Sequence, residues 1–334
     1  MNKKIVGILF GGRSAEHEIS ILSSKSIYEA IDKEKFTPVL VKIEKSGHLQ
    51  MDHLLKFDVV FPILHGPFGE DGTIQGLLKT ADVPFVGPGV LGSAVGMDKD
   101  VMKRLLRDAG IPIGKFISVK SHEKLPLFAE AEAALGSPLF IKPANMGSSV
   151  GIAKVRNETE YAAAVKDAFQ YDTKIIMEEF IPGREIECGV LGNEDPIASI
   201  PGEIIPSHEF YSYDAKYLDE KGATLQIPAL LDEKLTKDVQ ELAVKVFKTL
   251  CCEGLSRVDF FLKENSASAA ISTESSDTEI IVNEINTMPG FTNISMYPKM
   301  WEASGISYTE LITRLIELAL SRHKKEKELR TSFA

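Results

Sequence analysis

The sequence predicts an α/β protein in which an open-sheet first third is followed by a part where antiparallel strand pairs mix with helices. Three observations predict it. Ile5 to Phe10 is a short apolar run closed by Gly11-Gly12-Arg13 and followed by helical spacing from Ile19 to Ile31, the strand, glycine loop and helix of an α/β unit. Phe140 to Val155 has two apolar arms around a polar glycine-serine tip, as a long hairpin does. Arg257 to Leu262 and Ile280 to Asn286 are apolar strands that each carry acidic or amide side chains at alternate positions.

Taken in order, Ile19, Leu22, Ile27 and Ala30 form one stripe of the first helix, and strands at Pro38 to Ile43 and Val59 to Leu64 complete the first unit. Ligands of open α/β sheets gather in loops beyond the carboxyl ends of the strands, where His65-Gly66-Pro67-Phe68-Gly69-Glu70-Asp71-Gly72 lies. Pro84, Gly87, Pro88 and Gly89 punctuate the next crossover and put a domain boundary near Met97. A helix runs from Asp98 to about Ala109. Thr173 to Phe180 is a strand ending in Glu178-Glu179-Phe180-Ile181, and Pro182-Gly183 after it reads as a turn or hinge. An adenine ring inserts readily at such a strand end. From Asp232 to Glu253, Leu235, Val239, Leu242, Val246 and Leu250 recur at helical spacing before Gly254. The last helix opens on the capping box Ser307-Tyr308-Thr309-Glu310 and ends in a charged tail, from Arg322, expected to fray.

The chain has 334 residues, 44% hydrophobic and 26% charged, enough for two or three globular domains. Its formal charge of -10 argues against nucleic acid and anionic membranes as partners. No segment is apolar for long enough to span a bilayer, and the apolar run after Lys3-Lys4 is too short for a signal peptide. Cys188, Cys251 and Cys252 are odd in number and lack metal-type spacing, which suits a reducing cytoplasm, and all three read as packing residues.

Side-chain alternation puts Glu284 and Asn286 on one face of their strand, and Arg257 and Asp259 on one face of theirs. Magnesium takes a couple of carboxylates and fills its other positions with water and phosphate oxygens, so Asp259, Glu284 and Asn286 suit a nucleotide-metal site. Arg257 supplies a guanidinium for developing negative charge. The alternative is a pair of edge strands with solvated charges. It weakens because the polar residues interrupt segments apolar enough to be buried. The loop Thr287 to Met296 follows directly, and Gly290 in it permits close backbone approach and an N–H for an oxyanion. The tip from Lys142 to Gly151 matches neither the P-loop nor the GxGxxG pattern. Its backbone N–H groups and the Ser148 and Ser149 hydroxyls can cradle phosphates beside the point charge of Lys142. From that segment alone, a merely flexible hairpin is an equal alternative.

In joint order and spacing, Gly11 to Ser20, His65 to Gly76, Met97-Asp98-Lys99, Lys142 to Gly151, Phe210 to Tyr217 and Asn283 to Ser295 resemble the ATP-grasp superfamily. Within it they resemble the D-alanine:D-alanine ligases, nearly end to end. The resemblance implies a three-domain ATP-grasp fold, α/β at the N-terminus and α+β in the ATP-grasp part, with ATP between two antiparallel sheets and D-alanine where the domains meet. It implies ligation of two D-alanine molecules through a D-alanyl phosphate, two magnesium or manganese ions, and a cytoplasmic homodimer. By the same resemblance Asp259, Glu284 and Asn286 hold the metals, while Lys99, Lys142 and Ser149 hold the phosphates. Glu178, Glu179 and Ile181 lie at the adenine side and Glu185 at the ribose hydroxyls. Glu16 takes the first D-alanine's ammonium and His65 lies near its carboxylate. Lys216, Ser295 and Met296 serve substrate binding, Ser295 at the second D-alanine's carboxylate. Arg257 and the Gly290 N–H face the oxyanion, and Ser148 and Tyr217 join Glu16 in a hydrogen-bonded chain that closes two loops. Tyr211 to Tyr217 follows the dipeptide-forming pattern, not that of the D-alanine:D-lactate ligases. One departure is the Ser-rich Glu264 to Glu279, where the family makes a short hairpin; its composition reads as an exposed loop.

Overall fold

The computed structural model describes residues 3–147, 150–206, 223–264 and 278–330. Ser148, Ser149, Lys216, Tyr217 and the Ser-rich interval at 265–277 lie outside the described residues.

The first sheet is β1 (Lys4–Gly11), β2 (Phe36–Ile43) and β3 (Val59–Pro62), parallel and in the order β2-β1-β3. Helix α1 (His17–Ala30) crosses over between β1 and β2, and of the expected stripe it buries Ile27 and packs Ala30 on the core but turns Leu22 outward. Leu22 is 51% exposed, and the buried residues are His17, Ser20, Ser23, Ser24 and Ile27. Hydrogen bonding decides this, because the strand ends beneath the helix carry polar backbone groups. Ser20 Oγ accepts from the Gly11 N–H at 2.8 Å and donates to the Ile63 carbonyl, so a short hydroxyl satisfies groups that a leucine would strand.

Helices α2 (Thr73–Thr80), α3 (Val90–Met97) and α4 (Lys99–Asp108) follow. Asp98 starts α4 as expected, its Oδ1 accepting from the Asp100 and Val101 N–H groups at 3.1 Å each. The smaller antiparallel sheet contains β4 (Phe116–Lys120), β5 (Leu139–Pro143), β6 (Ala153–Val155) and β7 (Lys174–Glu179) in the order β4-β7-β5-β6. Pairing of β5 with β6 makes the expected hairpin. Helices α5 (Phe128–Leu135) and α6 (Glu158–Ala168) cover this sheet.

The larger sheet consists of β8 (Arg184–Gly192), β9 (Ile197–Ala198), β10 (Gly202–Pro206), β11 (Ala223–Gln226), β12 (Gly254–Glu264) and β13 (Thr278–Asn286). Its order is β11-β10-β8-β12-β13, with β9 paired to β8. Helix α7 (Glu233–Thr249) lays Leu235, Val239 and Val246 on its inner face against Val258, Phe260 and Leu262. Met102 and Leu106 of α4 join that core, so α4 is anchored on the larger sheet while its charged residues meet the smaller one.

Helices α8 (Met296–Ala303) and α9 (Tyr308–Lys327) complete the described chain. Leu311, Ile312, Leu315 and Ile316 of α9 share a core with Val6, Ile8 and Phe61 of the first sheet. The expected fraying from Arg322 does not occur. The helix continues to Lys327, and Arg322 is buried and donates to the Gly87 and Phe85 carbonyls at 2.7 and 2.8 Å. Of the three cysteines, Cys188 and Cys252 are buried as expected. Cys251 is exposed, because the chain leaves α7 there in a left-handed turn with φ of 55°.

Ser20→Ala should lower the unfolding free energy by about 1–3 kcal/mol, since it orphans a buried N–H and a carbonyl. Chemical denaturation checks this against the exposed Ser26→Ala, expected to stay within about 0.5 kcal/mol of wild type.

Candidate active site

Strand β12 lies between β8 and β13, and its register assembles the polar face of the larger sheet. Asp259 stands opposite Glu284 on one side and Glu187 on the other, and Arg257 stands opposite Asn286 and Gly189. The alternate residues Val258, Phe260 and Leu262 go into the core. A bulge in β13 inserts Asn283 between Val282, which pairs with Phe260, and Glu284, so Glu284 stays beside Asp259 while Val282 stays in the core.

The Arg257 guanidinium binds Asp259 in two-pronged fashion, Nε to Oδ1 at 2.7 Å and Nη2 to Oδ2 at 2.8 Å. Its Nε also lies 3.0 Å from Glu187 Oε2. Burial opposes the charge, but Asp259 and Glu187 outweigh it and hold Arg257 firmly protonated. Asn286 Nδ2 donates to Asp259 Oδ2 at 2.9 Å. The four residues expected to act together are therefore brought together.

Lys99, at the start of α4, places Nζ 3.3 Å from Glu284 Oε2 and donates to the Met146 carbonyl at 2.8 Å. Between the two sheets opens a cleft of about 260 Å³ lined by Lys99, Lys142, Glu179, Ile181, Glu185 and Glu284, among others. Glu178 lies in its wall, bound by Lys142 through one oxygen and by Lys103 at 2.7 Å through the other. Burial by itself raises the Glu178 carboxyl, but the two ammoniums pull it down to about 2. Burial likewise opposes the charge of Lys142, and Glu178 with Glu284 overcomes it, so its pKa rises. Glu179 Oε1 accepts from the Lys115 N–H at 2.7 Å.

Three loops converge where the first sheet meets this cleft. Glu16 is buried at the start of α1, and an added Cβ on Gly66 or Gly147 would lie 2.6 or 3.3 Å from its Oε2. Gly66 adopts φ of 71°, so only glycine fits that approach without strain. His65 is buried, with Nδ1 3.1 Å from the Met288 carbonyl and Nε2 3.3 Å from Ser23 Oγ. Burial disfavours its charge, yet Glu70, whose Oε1 lies 3.6 Å from Nδ1, and Glu16 raise its pKa. An added Cβ on Gly290 would lie 3.1 Å from Ser295 Oγ, which accepts from the Thr292 N–H at 3.1 Å. Ser295 also marks the start of α8, where helix N–H groups favour an anion. The Met296 side chain is instead in the core with Ile204 and Met300.

Asp259, Glu284 and Asn286 offer hard oxygens on adjacent strands, a set that fits magnesium completed by phosphate and water. Among the described residues no three His, Cys, Asp or Glu side chains converge as a metal cage. Lys103, Glu187 and Glu70 belong to the site and were not singled out from the sequence. Lys103 follows Lys99 by one helical turn, Glu187 follows Glu185 on one strand face, and Glu70 sits in the His65 loop, so periodicity carried a signal for each.

Family models described as D-ala D-ala ligase N-terminus and C-terminus match residues 5–55 with 49–88, and 105–317. The chain is 48% identical over 373 residues to the D-alanine--D-alanine ligase of Oceanobacillus iheyensis, covering 99% of each chain. It is 47% identical over 376 residues to D-alanine--D-alanine ligase A of Escherichia coli, covering 100% of each. The D-alanine-D-alanine ligase structure from Coxiella burnetii superposes with a TM-score of 0.85 at 37% identity, covering 98% of this chain and 97% of that one. A D-Ala:D-Ser ligase structure from Enterococcus faecalis gives 0.83 at 35% identity, covering 95% and 100%.

The depressed Glu178 pKa has a stability consequence. Its contribution is complete above the ordinary value of 4.5 and is lost as pH falls toward about 2. Between about pH 7 and about pH 3, Glu178→Gln should therefore lose less of its urea stability than wild type does, as denaturation midpoints at the two pH values would show.

Proposed function

The chain belongs to the D-alanine:D-alanine ligase family, and from that premise we propose which of its residues carry the ATP-dependent joining of two D-alanine molecules. The dipeptide formed is a precursor for cell-wall synthesis. A carboxylate is a poor acyl donor. The first D-alanine's carboxylate attacks the γ-phosphorus of ATP, ADP leaves, and the acyl phosphate carries a good leaving group. The second D-alanine's amine then attacks that carbonyl, and the tetrahedral oxyanion collapses to the dipeptide and phosphate.

Lys99 and Lys142 neutralise the nucleotide phosphates in the cleft, with Ser149 beside them by family resemblance. Glu178, Glu179 and Ile181 serve the adenine side and Glu185 the ribose. Glu16 receives the first substrate's ammonium, with His65, whose pKa Glu70 and Glu16 raise against the opposing effect of burial, near its carboxylate. Arg257 and the Gly290 N–H meet the oxyanion, because charge that develops there is best met by donors already fixed in place. Ser295 and the backbone of Met296, at the start of α8, hold the second carboxylate. Asp259, Glu284 and Asn286 would hold magnesium or manganese, two ions in all, which when bound neutralise phosphate charge. By resemblance alone, Lys216 serves substrate binding, and Ser148 and Tyr217 complete the set with Glu16 as the groups that close the loops and exclude water. The single observation that carries the reading is the cross-strand cluster of Arg257, Asp259, Glu284 and Asn286, joined to the lysine-lined cleft through Glu284.

The domains are taken as 1–97, 98–182 and 183–334. A cytoplasmic homodimer without nucleic-acid or membrane partners completes the reading, supported by family membership and by a charge of -10 that repels polyanions.

Phosphate release from ATP should require D-alanine and stay at background with L-alanine; equal release with both would overturn the substrate assignment. D-serine offered with D-alanine measures acceptor choice against the D-Ala:D-Ser relative. Glu284→Gln should cut turnover by about two to three orders of magnitude while the chain remains folded, as circular dichroism would show. Near-normal activity at saturating magnesium would remove Glu284 from the metal site.

A further inference from the structure

Lys103 has no part in the mechanism above, yet it is 2% exposed, and such deep burial of a lysine is costly without a partner. Its Nζ lies 2.7 Å from one oxygen of Glu178, whose other oxygen Lys142 holds. All three side chains line the nucleotide cleft. Lys103 and Lys99 stand four residues apart on α4, so one helix face presents both ammoniums to the cleft, Lys103 against Glu178 of the smaller sheet and Lys99 against Glu284 of the larger.

The charge count assigns the role. Lys142 and Glu178 alone make a neutral pair with little net attraction for a polyphosphate, whereas adding Lys103 leaves one net positive charge in the same wall. Glu178 already has Lys142 as a counter-ion, so its own burial does not call for a second cation. Glu284 and Glu185 also act on Lys142, which makes the added cation weigh more. We propose that Lys103 is a positioning residue for nucleotide binding: it takes up the charge of Glu178 and leaves the ammonium of Lys142 to the phosphates of ATP. This rests on the assignment of Lys142 to the nucleotide.

Calorimetric binding of ADP and of adenosine to purified variants of the full chain tests it. Lys103→Met should weaken ADP about tenfold and leave adenosine within about twofold, because the lost charge acts only on phosphate. Lys103→Arg should keep ADP affinity, and in a Glu178→Gln background Lys103→Met should change ADP affinity by less than about twofold, since without the carboxylate Lys142 no longer needs the second cation. Unchanged ADP affinity in Lys103→Met would overturn the proposal. So would an equal loss for ADP and adenosine, or a loss in Lys103→Arg as large as in Lys103→Met, since either indicates packing and not charge. Lys142→Met separates the two readings. If it too leaves ADP binding unchanged, the assignment of the cleft to the nucleotide fails; if it weakens ADP while Lys103→Met does not, only the present proposal fails.

Discussion

The register of β12 between β8 and β13 is the constraint on which the rest depends. A slip of one residue would turn Arg257 and Asp259 into the core and put Val258, Phe260 and Leu262 into the cleft. That slip is prevented by packing, because those three side chains are buried against α7 and each contributes about 1.5–3 kcal/mol on burial. The chemistry on one face is thus aligned by hydrophobic contacts on the other. The loop carrying Gly290 and Ser295 leaves directly from β13, so the same register aims it at the cleft.

Electrostatics then explains why so many charges can lie so deep. Each is interleaved with its opposite: Arg257 between Asp259 and Glu187, Lys99 against Glu284, and Glu178 between Lys103 and Lys142. Buried ions persist only when paired in this way, and stripping one partner costs about 3–5 kcal/mol. The arrangement suits polyphosphate chemistry. On the proposed reading, phosphate oxygens would take over a lysine from a glutamate, so that incoming charge exchanges partners within a site already organised for it.

Much of this was legible in the sequence where a period-two or helical pattern coincided with burial. Alternation on β12 and β13 exposed Arg257, Asp259, Glu284 and Asn286, and the α7 stripe and the β5–β6 hairpin emerged as expected. Failures arose where polar groups were buried for a tertiary reason. The inner face of α1 is built from Ser20, Ser23 and Ser24 because strand ends beneath it need hydroxyls, which hydrophobic periodicity cannot see. Arg322 escapes the charged tail because carbonyls of Phe85 and Gly87, remote in sequence, accept from it. Lys103 and Glu187 gain their meaning only from partners on other elements, although their spacing from Lys99 and Glu185 was visible.

The central claim is that this cleft activates a carboxylate by transferring the γ-phosphoryl group to it. Following a heavy-oxygen label from the carboxylate of D-alanine through one turnover tests that claim most directly. The account requires the label to appear in inorganic phosphate alongside ADP, because the oxygen that attacks phosphorus leaves with it. Label appearing in AMP, or phosphate released without label, would contradict it.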